Sequence, residues 1–140
     1  MPSPIKVMFV CTGNSARSQM AEGFARHLGQ GRLDPCSAGI EPSRLNRYAV
    51  AVMQEEGIDI SRQHSKAFDE DLARRMDLVV TVCGRADERC PILPPEVKKL
   101  HWPLEDPATS KGTDAEILAK FREIRDQIEA QILDLVRECR

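Results

Sequence analysis

The sequence predicts an α/β fold in which helices pack against a parallel sheet. Short apolar runs alternate with helical patterns along the 140 residues, and parallel strands joined by right-handed helical crossovers produce this alternation. The run from Ile5 to Val10 is continuous and apolar, as expected for a strand that is covered on both faces. No repeat, linker or low-complexity segment interrupts the pattern, so we expect residues 1–140 to form a single domain.

The first helical pattern runs from about Ser15 to Leu28, and Gly29 is a plausible C-cap. Its apolar residues fall on one stripe: Met20, Ala21, Phe24, Ala25 and Leu28. A second short strand follows with Cys36 inside it, and the small residues Ala38-Gly39 predict a turn at its end.

Asn46 is placed to cap a second helix that ends at Gly57. A short helix is predicted across Asp69 to Arg75, followed by a buried strand from Asp77 to Val82. The next stretch, Gly84 to Pro95, is rich in charge and proline, which predicts a loop or a weak helix.

Val97 to Trp102 predicts a fourth, shorter strand. Thr113 and Glu116 have the spacing of a capping box at the start of a helix. That helix is long and amphipathic because apolar residues recur at helical spacing: Ile117, Phe121, Ile124, Ile128, Ile132 and Leu135.

The charge balance excludes two classes of partner. Lys and Arg total 20 against 22 acidic residues, a formal charge of −2, which gives no electrostatic reason to bind nucleic acid or an anionic membrane.

No apolar run approaches the roughly 20 residues of a membrane span, and the N-terminal sequence lacks the layout of a signal peptide. We expect a cytoplasmic monomer without a membrane or nucleic-acid partner.

Five cysteines in such a chain are not a disulfide framework, because the cytoplasm keeps thiols reduced. They do not cluster with histidines at metal-ligand spacing, so neither a metal site nor a cofactor is predicted. Nucleophilic or redox chemistry is the interpretation that remains. Cys36 and Cys139 are expected to be structural.

Cys11 ends the first strand and begins the predicted functional site. The five residues that follow it are small enough for their backbone amides to converge on one point, ahead of a helix N-terminus: Thr12, Gly13, Asn14, Ser15 and Ala16. Amides arranged in this way bind an oxyanion. They also stabilise a thiolate, which makes Cys11 a predicted nucleophile near neutral pH.

Three neighbouring side chains fit the same site. Arg17 can return its planar guanidinium over the loop to hold two oxygens of a tetrahedral ligand, and Ser18 can donate a hydrogen bond to the sulfur. Asn14 tolerates the left-handed backbone that such loops need. The alternative is a buried cysteine at the end of a core strand, beside an ordinary helix cap at Ser15.

Cys83 follows the third strand, and Cys90 lies beyond six intervening residues, GRADER. Active groups in parallel sheets collect at the carboxyl ends of strands, so Cys83 and Cys11 can meet. Thiolates exchange disulfides by attack on sulfur, so three thiols make a relay possible. The alternative is that Cys83 and Cys90 are incidental core and loop residues.

A general acid is needed near an oxyanion, and Asp106 in the loop after the fourth strand is the candidate. Pro107 holds it in an extended conformation. An aspartate in a simple turn before proline is the alternative, and Glu105 is expected to be solvated.

Several motifs together resemble the thioredoxin-coupled arsenate reductases, which share the low-molecular-weight protein tyrosine phosphatase fold. They are CTGNSARS from Cys11, the Ser37-Ala38-Gly39 triplet, Cys83, Cys90-Pro91 and Asp106-Pro107. The resemblance spans nearly the whole chain. It implies a three-layer sandwich with a four-stranded parallel sheet, in strand order 2-1-3-4, flanked by helices.

The resemblance also implies a reaction, the reduction of arsenate to arsenite. Cys11 is then the nucleophile, Arg17 and the loop amides bind the oxyanion, and Asp106 assists the leaving oxygen. Cys83 attacks the arsenic-bearing Cys11, and Cys90 attacks Cys83 to give a disulfide that thioredoxin reduces. The segment between Cys83 and Cys90 must move during this transfer.

One position departs from the family pattern. Several members hold a potassium ion with an Asn, a Glu, a Ser and a downstream Asp; Asn14, Glu22 and Ser37 match, but Lys66 stands at the fourth place. An ammonium there would repel a cation and could replace it by pairing with Glu22. A solvated surface lysine is the alternative.

Two other functions remain open. A phosphotyrosine phosphatase would use Cys11, Arg17 and Asp106 alone, although phosphatases of this fold usually follow the Asp-Pro with tyrosines, and Ala108, Thr109 and Ser110 stand here. A phosphate-binding or redox-sensing module without catalysis would leave Cys11 inert or cycling to sulfenic acid.

Overall fold

The computed structural model describes residues 3–138. Cys139, predicted to be structural, lies outside this range. The fold is a four-stranded sheet in the order β2-β1-β3-β4, in which every adjacent pair of strands is parallel. The strands are β1 (Ile5–Cys11), β2 (Leu33–Gly39), β3 (Leu78–Thr81) and β4 (Lys98–His101). Fold class, strand number and strand order are therefore confirmed.

In the described part of the chain, five α-helices and one 3₁₀ turn flank the sheet. They are α1 (Arg17–Leu28), α2 (Arg47–Gln54), α3 (Glu70–Ala73), α4 (Gly84–Arg89), the 3₁₀ turn Pro107–Thr109 and α5 (Asp114–Glu138). Helix α1 packs against both α5 and β2. Among residues 3–138, no helix combines the length and the apolar character needed to cross a membrane.

The core forms around β1, whose last five residues are buried. Phe9 is fully buried, and its ring centroid lies 5.8 Å from that of Trp102, the residue after β4. The predicted apolar stripe of α5 faces inward, with Phe121, Ile124 and Ile128 buried. Burial of these faces fixes the carboxyl ends of β1 and β3 side by side.

The predicted helix caps are confirmed by their hydrogen bonds. The Asn46 side chain accepts from the backbone amides of residues 48 and 49 at 2.8 and 3.2 Å. Thr113 and Glu116 form the reciprocal capping box, each side chain accepting from the other's backbone N–H at 3.2 Å. The Gly29 amide donates to Ala25 O at 2.9 Å at the end of α1.

Several boundaries differ from the prediction. Helix α2 ends at Gln54 and not at Gly57, and α3 ends at Ala73 and not at Arg75.

Two further differences lie beside the Cys11 loop. The turn predicted at Ala38-Gly39 is wrong: β2 continues through Gly39, which pairs in register with Cys11 and bridges to Ala67. The pairing persists because this strand end is paired on both edges, with β1 on one side and with residues 66–68 on the other. Helix α1 begins at Arg17, two residues later than predicted, because residues 12–16 wrap around the Cys11 sulfur instead of continuing the helix.

Candidate active site

The site is centred on Cys11, the last residue of β1, whose side chain is buried. The loop of residues 12–16 turns back over the sulfur, and the Asn14 amide donates to Cys11 Sγ at 3.2 Å. Asn14 adopts a left-handed backbone with φ of 49°, a conformation that asparagine tolerates better than most residues. The loop therefore presents the Asn14 N–H on the side where the sulfur lies.

Ser18 contacts the same sulfur, with its Oγ 2.9 Å from Cys11 Sγ. Asn14 Nδ2 donates to Ser18 Oγ at 2.8 Å, so the serine oxygen accepts from Asn14 and its own proton is free for the sulfur. A thiolate at Cys11 would thus receive one backbone and one hydroxyl hydrogen bond, which stabilise the charged form.

Residues outside the loop hold Asn14 in place. Asn14 Oδ1 accepts from the Lys66 backbone N–H at 2.9 Å, which fixes the orientation of the side-chain amide. The Asn14 carbonyl accepts from Ser65 Oγ at 2.7 Å and from Gln19 Nε2 at 2.9 Å. Gln19 and Ser65 were not predicted from the sequence, and no local sequence signal distinguishes them, although Gln19 is fully buried.

Gly39 explains why a glycine ends the Ser37-Ala38-Gly39 triplet. A Cβ at this position would lie 2.8 Å from both the Asn14 amide nitrogen and the Thr12 carbonyl oxygen. Such distances are below van der Waals contact, and both atoms belong to the backbone, which cannot yield as a flexible side chain can. The loop around Cys11 therefore requires a residue without a side chain beside it.

Arg17 lies at the start of α1 with its side chain almost fully buried. Its Nη1 donates to the Leu104 carbonyl at 3.1 Å, and its Nη2 lies 3.5 Å from Asp106 Oδ2. The loop after β4 therefore fixes the guanidinium from one side. A fixed guanidinium presents its donors as a fork suited to two oxygens of one anion.

Asp106 is brought to the site by this contact with Arg17. Its Oδ1 accepts from the Ala108 amide at 3.0 Å as the 3₁₀ turn begins, and its Oδ2 faces the guanidinium. Its side chain remains about a third exposed, so protons can reach it. Glu105 is more exposed and pairs with Lys120 of α5 instead.

Cys83 lies two residues after the end of β3 and is buried next to the loop of Cys11. Its Sγ lies 3.2 Å from Oγ1 of Thr12, the residue that follows Cys11. Cys83 is also the N-cap of α4, where its Sγ accepts from the Ala86 amide at 3.4 Å. The structure thus places a second thiol beside the oxyanion loop.

In the other two cysteines that the structure describes, burial raises the pKa of the thiol. Cys90 is the C-cap at the far end of α4 and is half-buried, and burial raises the pKa of its thiol. Cys36 lies within β2, where burial raises the pKa of its thiol to about 11. At such a value the thiolate population near neutral pH is small, consistent with a structural role for Cys36.

Glu22 and Ser37 lie together beneath the loop. Ser37 Oγ donates to Glu22 Oε1 at 2.5 Å, and Arg26 pairs with Glu22 Oε2 at 2.7 Å. Lys66 Nζ lies 3.8 Å from Glu22 Oε1 and donates to the His64 carbonyl at 2.8 Å. Two donors, Ser37 and Arg26, already bond to this carboxylate, and the Lys66 ammonium is a second positive charge beside it, so the residues present do not fit an additional metal cation.

This arrangement suits attack by sulfur on a tetrahedral oxyanion. The nucleophile accepts from a loop amide, the Arg17 guanidinium begins the helix that follows the loop, the Asp106 carboxyl group lies beside that guanidinium, and a second thiol lies beside the loop. Hydrolysis of a phosphate ester needs only the first three of these groups, whereas the second thiol adds the capacity for disulfide exchange.

Comparison with known proteins agrees with this geometry. Residues 6–140 match the model of the low molecular weight phosphotyrosine protein phosphatase family. The arsenate reductase of Bacillus licheniformis is 50% identical over 127 residues, which cover 90% of this chain and 91% of that protein. The arsenate reductase of Bacillus subtilis is also 50% identical, over 87% of this chain and 88% of that protein.

Comparison with solved structures also finds arsenate reductases and a phosphatase of this family. An arsenate reductase in its phosphate-binding state aligns with a TM-score of 0.78 at 40% identity, covering 97% of this chain and 99% of that one. A thioredoxin-dependent arsenate reductase of Corynebacterium glutamicum aligns with a TM-score of 0.78 at 27% identity, over 99% of this chain and 64% of that one. The low molecular weight protein tyrosine phosphatase of T. tengcongensis gives 0.77 at 27%, covering 96% and 99%.

The family model spans nearly the whole chain, and the relatives at 50% identity are named arsenate reductase. The structural neighbours include both reductases and phosphatases, as expected when one oxyanion loop serves both reactions. The chain belongs to the low molecular weight phosphotyrosine protein phosphatase family, and within it to the group that contains the arsenate reductases.

Proposed function

We propose that the protein reduces arsenate to arsenite in the cytoplasm through a relay from Cys11 to Cys83 to Cys90, with thioredoxin as the electron donor. The observation that supports this most directly is the contact between Thr12 Oγ1 and Cys83 Sγ at 3.2 Å. It brings a second thiol to the rim of the loop that surrounds Cys11. A phosphatase has no use for that thiol.

In the first step arsenate, a tetrahedral oxyanion, binds to the loop amides and the Arg17 fork. The Cys11 thiolate attacks arsenic and displaces one oxygen, which leaves as water after Asp106 supplies a proton. The amide of Asn14 and the hydroxyl of Ser18, both within hydrogen-bond distance of the sulfur, stabilise the thiolate before the attack.

In the second step the Cys83 thiolate attacks Cys11 Sγ. A sulfur–sulfur bond forms, the sulfur–arsenic bond breaks, and its electron pair goes to arsenic. Arsenic(V) becomes arsenic(III) and leaves as arsenite, while the two thiols are oxidised to a Cys11–Cys83 disulfide. The contact between Cys83 and Thr12 keeps the attacking thiol beside the loop that holds Cys11.

In the third step the Cys90 thiolate attacks Cys83 Sγ, which forms a Cys83–Cys90 disulfide and releases the Cys11 thiolate for the next arsenate. A dithiol protein then reduces the new disulfide by exchange. That donor is named in one structural neighbour, which is described as thioredoxin-dependent. We therefore assign the same donor here.

Replacing Cys90 with serine should limit the protein to one turnover, because the Cys11–Cys83 disulfide could no longer be passed on. The measurement is NADPH consumption with thioredoxin, thioredoxin reductase and arsenate, together with a count of free thiols. We expect the variant to produce one equivalent of arsenite, lose two thiols and stop, while the wild-type protein continues.

The same thiol count separates the competing functions. A phosphatase would lose no thiols on exposure to arsenate and would hydrolyse an aryl phosphate, whereas a redox sensor would respond to peroxide without arsenate. Continued multiple turnover by the Cys90→Ser variant would contradict the proposed relay. Weak hydrolysis of phosphate esters would not, because the oxyanion loop is common to both reactions.

We also propose that Lys66 takes the place of the potassium ion that other family members hold near this loop. Its ammonium lies 3.8 Å from Glu22 Oε1, and its backbone N–H orients Asn14.

Wild-type activity should then change little when potassium is exchanged for a bulky organic cation. Lys66→Asp removes the ammonium and adds a carboxylate, so activity should become potassium-dependent, measured as initial rates in the two salts. Strong potassium stimulation of the wild-type protein would contradict this role.

A further inference from the structure

We infer that Glu41 is a positioning residue that ties α4, the helix between Cys83 and Cys90, to the loop of Cys11 and so sets when Cys90 can react. The inference rests on the proposed relay, because it assigns a role in the passage from the second step to the third. Glu41 belongs to the segment that follows β2 and touches neither cysteine.

Glu41 makes contacts through both its backbone and its side-chain carboxylate. Its backbone N–H donates to the Thr12 carbonyl at 2.8 Å, which anchors the residue to the oxyanion loop. Its carboxylate pairs with Arg85 and also accepts from Arg89 Nη1 at 2.8 Å. The two arginines are four residues apart and therefore share one face of α4. One carboxylate thus connects the loop that contains the nucleophile to the helix that separates the two later thiols.

Helix α4 needs such a connection because it is weak on its own. It has six residues and begins with Gly84, and isolated helices of this length are unstable in water. Asp87 provides a second tie on another face, with its carboxylate 3.2 Å from Lys99 Nζ and 3.1 Å from Thr81 Oγ1. The Lys99 contact holds the pKa of Asp87 below its usual range, so this tie persists at neutral pH.

The third step of the relay requires the same helix to open. Cys83 and Cys90 cap its two ends, and a helical rise of 1.5 Å over seven residues separates their Cα atoms by about 10 Å. Disulfides need Cα atoms roughly 4.4–6.8 Å apart. The Cys83–Cys90 bond therefore cannot form while α4 is intact, and whatever holds α4 folded also delays that bond.

The ion pairs of Glu41 with Arg85 and Arg89 are weak enough to break when α4 has to open. Glu41, Arg85 and Arg89 each have about half of their side-chain surface exposed. Ion pairs at such exposure are weak and are screened by salt. They bias α4 toward the folded form, in which Cys83 faces Thr12 and Cys90 is held at the far end. They do not prevent opening once Cys83 has reacted.

The test is the rate at which a maleimide alkylates each cysteine of the reduced protein, followed by mass spectrometry. In Glu41→Gln we expect Cys90 to be alkylated about three times faster than in the wild-type protein, with the Cys11 rate unchanged. High salt should raise the wild-type Cys90 rate toward that of the variant and leave the variant nearly unaffected. In an Arg85→Gln/Arg89→Gln background, the Glu41 substitution should add nothing.

Glu55→Gln is a matched control, because the Glu55 carboxylate also bridges two arginines, Arg122 and Arg125, but on α5 and away from α4. It should leave the Cys90 alkylation rate unchanged even if it lowers the melting temperature. An equal rise in Glu55→Gln, or a Cys90 rate in Glu41→Gln equal to that of the wild type, would overturn the inference.

A single-turnover reaction with arsenate gives a second readout. In Glu41→Gln, conversion of the Cys11–Cys83 disulfide to Cys83–Cys90 should be about three times faster, while the amount of arsenite released stays at one equivalent. A slower conversion would overturn the role of Glu41. Absence of arsenite from the wild-type protein would refute the proposed function instead, and the alkylation rates would still report whether Glu41 holds α4.

Discussion

Replacing Cys11 with serine should abolish arsenate reduction, lowering the rate by at least about a thousandfold. A serine hydroxyl is not ionised near neutral pH and cannot form the sulfur–sulfur bond that expels arsenite. The substitution is nearly isosteric, so the Asn14 amide and the Ser18 hydroxyl that contact position 11 keep their places. The measurement is arsenite production under single-turnover conditions.

Oxyanion binding provides the control for this variant. The loop amides and Arg17 are unchanged in Cys11→Ser, so calorimetry should still detect phosphate or arsenate binding, and the anion should still raise the melting temperature. If the variant lost both activity and anion binding, Cys11 would be needed for the loop to fold, and the result would say nothing of its nucleophilic role. Retained reduction would exclude Cys11 as the nucleophile.

Replacing Arg17 with lysine should lower kcat/KM for arsenate by about a hundredfold, although the positive charge is kept. Lysine offers a point charge in place of the planar fork, so it cannot hold two oxygens of the anion together. It also loses at least one of the contacts that Arg17 makes with the Leu104 carbonyl and the Asp106 carboxylate. The measurement is steady-state kinetics with arsenate and thioredoxin.

Arg26→Lys is a suitable comparison for Arg17→Lys. Arg26 lies on the same helix and also pairs with a carboxylate, that of Glu22, but its side chain is half-exposed and outside the Cys11 loop. We expect the kcat/KM of the Arg26→Lys variant to stay within about threefold of the wild-type value, since exposed ion pairs contribute little to stability. Similar kinetics for the two variants would show that charge, not the shape of the guanidinium, is what the anion requires at position 17.

The local parts of the structure were predictable from the sequence. The β1 strand, the loop of small residues after Cys11 and the helix caps each depend on a few consecutive residues, and short-range patterns determine them. Asn14 is an example, because its left-handed backbone follows from residue type and loop length. The placement of Cys83 beside the loop that follows Cys11 was predictable from a general property of parallel sheets.

The contacts that hold the loop in place were not predictable in this way. Gln19, Ser65 and Glu41 each bond to the backbone of the Cys11 loop, and two of them come from segments far away in sequence. Polar residues of these types are common on protein surfaces, so nothing local marks them. The turn predicted at Ala38-Gly39 failed for the same reason, because pairing with β1 and Ala67 outweighs the preference of glycine for turns.

Gly39 shows that sensitivity to substitution in such a pocket need not coincide with chemical reactivity. This residue offers no functional group, yet the space it leaves empty lets two strands of backbone come close enough to shape the anion pocket. The shape of the pocket therefore depends on segments that are distant from one another in the chain. Redesign of the pocket for an anion of another size would have to start from this neighbouring strand as well as from the residues that touch the ligand.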